Sequence, residues 1–144
     1  MTYTRFEELP VWNDAVRLYE AIDDLLGAAP PRLRYSFRDQ LERAALSVSN
    51  NIAEGFERGT TSELLNFIYI ARGSAGEVRS MLCILERRPW MADLKSQISN
   101  LKSQFSVFSE SGTDNRQLTT DNCSEHAWDL HAAHQAAHLL LHRL

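Results

Sequence analysis

Three successive stretches of the chain place apolar residues three and four apart, and each ends at glycine or proline. That spacing lines apolar side chains along one face of an α-helix. Helices with one apolar face must bury it against one another, which restricts the fold to a helical bundle. The first helix is predicted from about Pro10 to Leu26. Proline suits the first helical position, where its missing N–H costs nothing. Val11, Ala15, Leu18, Tyr19, Ile22, Leu25 and Leu26 form one face. Asn13, Arg17, Glu20 and Asp24 take the other, and the run from Gly27 to Pro31 stops the helix.

The second helix is predicted from about Leu33 to Phe56, with Leu33, Phe37, Leu41, Ala44, Ala45, Val48 and Ile52 as its apolar stripe. Gly55 or Gly59 supplies a terminating residue that tolerates a left-handed backbone. The third opens near Thr60. Thr60 and Glu63 have capping-box spacing, in which each side chain satisfies the other's free backbone N–H. Its main face is Leu64, Phe67, Ile68, Ala71, Ala75, Val78, Leu82 and Leu85. Ile70, Met81 and Ile84 lie off that face. A helix apolar on two sides implies neighbours on two sides, in a second subunit or in a tightly packed monomer. The small-residue patch from Gly73 to Gly76 would let another helix approach closely. Arg87 and Arg88 suit the negative end of the helix dipole, and Pro89 ends the helix.

Past Pro89 the composition changes. Residues 94–100 and 101–107 form a seven-residue near-repeat. Trp90, Leu94, Ile98, Leu101, Phe105 and Phe108 recur at spacings of four and three, a seam able to close a four-helix bundle. Its serines and asparagine make it a weak helix by propensity. Residues 109–124 are polar and read as a linker. Residues 125–144, rich in alanine and leucine, read as an appended helix. The expected organisation is an all-α, up-and-down four-helix bundle over residues 1–108 with an atypical C-terminal region.

A chain of 144 residues buries one core without disulfide or metal staples. Two cysteines, Cys83 and Cys123, make neither a disulfide framework nor a zinc motif. The start of the chain lacks the apolar region of a signal peptide, and no apolar run is long enough to span a bilayer. The expected location is the cytoplasm. The net charge of −4 gives no global field drawing the protein to nucleic acid, so any such site must be a local patch.

Gln40, Arg43, Ser47, Asn51 and Glu54 form one polar stripe beside the apolar stripe of the second helix. Either a solvated face with local ion pairs or an ordered partner, a second subunit or RNA, would account for that mixture. Basic residues gather at Arg32, Arg34, Arg38 and Arg43, with Arg58 in the next turn and Arg87 and Arg88 ending the third helix. Repeated around a ring of subunits, such a patch could track phosphates. Arg34, Arg38, Arg43 and Arg58 are the candidate nucleic-acid contacts. His131, His134, His138 and His142 share one helical face and could hold zinc or nickel, against the plainer reading of a polar face. No HExxH or di-iron pattern accompanies them, and no metal or cofactor is expected. No nucleophile–base motif or phosphate-binding glycine loop is present, so an enzyme is not expected.

Three motifs carry a family resemblance: Phe6-x-x-Leu9-x-Val-Trp12-x-x-Ala15, the run from Gln40 through Ser47 and Asn51 to Gly55, and Phe67-x-x-x-Ala71-x-Gly73-Ser74-x-x-Glu77. Together they resemble the four helix bundle proteins, also called 23S rRNA-intervening-sequence proteins. The resemblance covers about residues 5 to 86, and the family's fourth helix is not recognisable after Pro89. That family is similar in fold to the accessory variability determinant of diversity-generating retroelements. The resemblance implies an up-and-down four-helix bundle and a homopentamer and, by way of the accessory protein, binding of RNA and reverse transcriptase. The expectation is a non-enzymatic oligomeric module that binds RNA or a ribonucleoprotein partner. The alternative is a scaffold for self-assembly or a protein partner without nucleic acid.

Overall fold

A computed structural model describes residues 3–106 of the chain. They form four helices: α1 (Pro10–Ala28), α2 (Tyr35–Glu57), α3 (Thr61–Glu86) and α4 (Lys95–Ser106). Short 3-10 turns at Phe6–Glu8 and Pro89–Leu94 precede α1 and α4. α2 packs against α1 and α3, and α4 packs on α3 and touches α1, which closes the expected up-and-down bundle.

The predicted faces are the buried ones. Ile22, Leu25, Leu41, Ile52, Ile68, Leu82, Leu85 and Ile98 are almost wholly withdrawn from water. Each such side chain stabilises the fold by about 1.5–3 kcal/mol through apolar burial. Tyr19 is only half-buried and its hydroxyl donates to Glu42 Oε1 at 3.3 Å. α2 begins at Tyr35 rather than Leu33. Leu33 instead buries itself from the loop, in a turn closed by its amide on the Pro30 carbonyl.

The two glycines near the end of α2 divide the work between them. Gly59 takes φ +79° and makes the turn into α3. Gly55 lets two helices approach: a Cβ there would lie 2.6 Å from Phe67 Cβ and 3.1 Å from Leu64 Cα. α3 then starts with half of the expected capping box. Thr60 Oγ1 accepts from the Glu63 amide at 3.2 Å. The Glu63 carboxylate accepts from the Thr60 hydroxyl at 2.8 Å rather than from its backbone.

The stretch after Pro89 is not one continuous helix. Trp90 and Leu94 sit in the 3-10 turn, half-buried, while Ile98 and Leu101 from α4 enter the core. Met91, absent from the expected seam, is buried with them. Lys102 of α4 donates to the Glu86 carboxylate of α3, and this hydrogen bond raises the lysine pKa above its ordinary value. The side chains of Phe105 and Phe108, the proposed linker and the histidine-bearing helix lie outside the described residues. Among the described residues, no helix is long and apolar enough to cross a membrane.

Candidate nucleic-acid interface

α2 is 23 residues long, about 35 Å, and its length separates the four arginines singled out from the sequence. Arg58 lies at the far end, bonded to Glu54 at 2.7 Å and placed 5.4 Å from the Phe67 ring centroid. The Glu54 hydrogen bond is the main cause of its raised pKa. Arg43 sits mid-helix and pairs with Asp39 at 3.2 Å. Arg38 points into the loop between α1 and α2. Its guanidinium donates to the carbonyls of Leu26 (2.6 Å), Ala29 (2.8 Å), Pro30 (3.0 Å) and Leu33 (3.2 Å). The carbonyls at a helix C-terminus have no intrahelical donor, and Arg38 serves α1 as its cap. Of the four, Arg34 alone stands exposed without a bonded partner, at the N-cap of α2.

The polar stripe is equally divided. Asn51 Nδ2 donates to the Ser47 carbonyl at 2.7 Å and to Ser47 Oγ at 3.0 Å. Ser47 Oγ lies 3.0 Å from Ser74 Oγ on α3, and Ser74 Oγ donates weakly to the Ile70 carbonyl at 3.4 Å. With Ser47 as donor to Ser74, every hydroxyl proton has an acceptor. The middle of the stripe therefore fastens α2 to α3 through the small-residue patch. Its ends, Arg43 and Glu54, make ion pairs within α2, and Gln40 is exposed.

Arg34 has other company. The loop before α2 and the junction after α3 meet at one end of the bundle and enclose a cleft of about 540 Å³. Arg32, Arg34 and Arg88 line it, over a floor that includes Phe37, Ile84, Leu85 and Trp90. The Arg32 guanidinium carbon sits 5.7 Å from the Trp90 ring centroid. A second recess of about 490 Å³ adjoins it through Arg88 and adds Arg87, Lys95 and Glu86, the last bonded to Lys102. Segments 29–34 and 87–95 carry these five cations and one acid, Asp93. None of the five makes an ion pair among the described residues, as is true also of Arg38, Arg72 and Arg79, whereas Arg5, Arg17, Arg43, Arg58 and Lys102 do. α2 begins here with no acidic residue in its first turn, so the positive end of its dipole adds to the same field. In an acidic protein, one end of the bundle is cationic.

Sequence reasoning grouped Arg32 with Arg34 but did not bring Arg87 and Arg88, at the end of the third helix, beside them. Lys95, Phe37 and Trp90 were missed as parts of the site. The 3-10 turn that folds Trp90 back under Arg32 has no periodicity to betray it.

A family model described as 23S rRNA-intervening sequence protein matches residues 7–110. The match runs past Pro89 and through α4, so the fourth helix lies within the family pattern and not outside it. No curated protein matches the sequence significantly.

Proposed function

The chain belongs to the 23S rRNA-intervening sequence protein family, and from that premise and its cationic end we propose a non-enzymatic, oligomeric module that binds RNA, free or within a ribonucleoprotein. The observation that carries this reading is the group of unpaired cations around the cleft, Arg32, Arg34 and Arg88 with Arg87 and Lys95 beside them. Guanidinium groups held without carboxylate partners suit phosphate oxygens, which they can bind by two parallel hydrogen bonds. The family name points toward ribosomal RNA.

Charge reversal tests it. Arg34→Glu with Arg88→Glu is expected to weaken binding to a structured bacterial RNA at least tenfold and to flatten its salt dependence. Arg58→Glu, at the opposite end, should leave affinity within about twofold. If the wild-type protein fails to bind RNA at low salt, the RNA reading falls.

Self-association is the second element of the proposal, and exposed apolar residues favour it. Ile70 is 52% and Tyr69 45% exposed on α3, and no described residue stands within 4 Å of a Cβ placed on Gly73 or Gly76. This outward side of α3 can accept a close helix from another subunit. Ile70→Asp is expected to reduce the mass measured by light scattering to that of one chain. An unchanged oligomer would remove Ile70 from the interface. If assembly persists while RNA binding is absent, the protein is a scaffold for itself or for a protein partner.

A further inference from the structure

A fully paired A-form helix would touch only the rim of the basic cleft. Its bases are stacked inside, and its surface offers phosphates and 2′-hydroxyls. The cleft, however, has a floor as well as a rim. Ile84 is 40% exposed there, beside the half-buried rings of Phe37 and Trp90. A duplex lying across the mouth would leave that apolar surface in water. An unpaired nucleotide matches both parts at once, with a flat apolar base for the floor and flanking phosphates for the arginines. Arg32, held over Trp90, adds a guanidinium plane of the kind on which unpaired bases stack. A volume of about 540 Å³ lies within the ordinary range of small-ligand sites. The charge balance fits as well, since none of these cationic groups makes an ion pair among the described residues.

We infer that this cleft seats one unpaired nucleotide of an RNA strand, with the base on the Phe37–Ile84–Trp90 floor and its phosphates on Arg34 and Arg88. The inference rests on the RNA reading above and specifies the form of RNA. The module recognises loops, bulges or strand ends rather than continuous duplex.

The experiment uses the full chain and two labelled probes, a twelve-nucleotide single strand and the same strand annealed to its complement. Their affinities are measured by fluorescence anisotropy across a salt series. The single strand is expected to bind at least tenfold more tightly. Ile84→Gln combined with Trp90→Leu keeps the net charge constant and removes part of the floor. It should cost the single strand about tenfold and leave duplex binding unchanged. Ile84→Gln alone, a change at an exposed position, should lower single-strand affinity in the same direction if the double variant loses helical circular dichroism. Equal affinity for the two probes, or floor variants that bind the single strand like the wild type, would overturn the inference while the RNA reading stands. Failure of both probes to bind at low salt would overturn the RNA reading, and the inference with it.

Discussion

Gly55→Val is expected to lower the free energy of unfolding by about 3 kcal/mol, read as a drop in the urea midpoint with little change in slope. The reason is the closeness of α2 to α3. A Cβ at Gly55 would stand 2.6 Å from Phe67 Cβ, the root of a side chain and not its movable tip. It would also stand 3.1 Å from the Leu64 backbone, so relief requires the two helices to part. Their separation would open Ile52 on α2 and Ile68 on α3 to water, both nearly solvent-free. The matched control is Gly27→Ala in α1, away from the proposed subunit contact, where no described residue lies within 4 Å and alanine favours a helix interior by about 0.8–1 kcal/mol. That variant should hold or raise the midpoint. Similar midpoints for the two variants would contradict the close approach at Gly55.

Arg38→Ala is expected to cost about 2–3 kcal/mol, since hydrogen bonds to a charged group each contribute about 1.5–3 kcal/mol and four that share one guanidinium do not add. Removal of the side chain would leave the carbonyls of Leu26, Ala29, Pro30 and Leu33 without this donor. Water can reach some of them, which holds the cost to this range. Arg38→Lys should recover less than half of the loss, because one ammonium cannot reproduce the planar fork that spans these acceptors. The same variant separates structural from ligand-facing arginines. Measured at a temperature where Arg38→Ala remains folded, the salt slope of RNA binding should match the wild type even where the looser loop lowers affinity. A salt slope lower by about one would place Arg38 among the phosphate contacts after all.

These two expectations mark what the residue pattern could and could not disclose. The apolar faces of α1, α2 and α3 were legible because a 3.6-residue period survives any details of packing. Gly59 was legible as a terminator for the same local reason, and so was the Thr60–Glu63 cap. Gly55 was readable only as punctuation, since its contact with Phe67 is made across a helix pair. The arginines were harder. In sequence Arg34 and Arg38 look alike, four residues apart at the start of one helix. In the fold one stands exposed beside the cleft and the other turns inward to finish α1. Burial and bonding of a long, flexible side chain depend on what the loop opposite offers it, and the loop's carbonyls carry no signature in residue type. The polar stripe shows the same limit. Ser47 and Asn51 read as candidates for a partner outside the subunit, yet Asn51 donates to Ser47 within α2 and Ser47 bonds Ser74 on α3. Past Pro89 the seam of Ile98 and Leu101 was visible, while the 3-10 turn carrying Met91 and Trp90 was not.

That turn also ties the stability of the bundle to whatever fills the cleft. Pro89–Leu94 places Trp90 in the cleft, buries Met91 in the core and delivers the chain to α4. A ligand that binds the cleft only when this turn is formed therefore favours docking of the fourth helix, and docking favours the ligand in turn. A ligand at a hundred times its dissociation constant contributes about 2.7 kcal/mol to the state that binds it. For a twelve-residue helix of weak intrinsic propensity, a contribution of that size is comparable to the burial of one of its core side chains. On the proposed reading, the last helix and a bound strand form two halves of one cooperative unit.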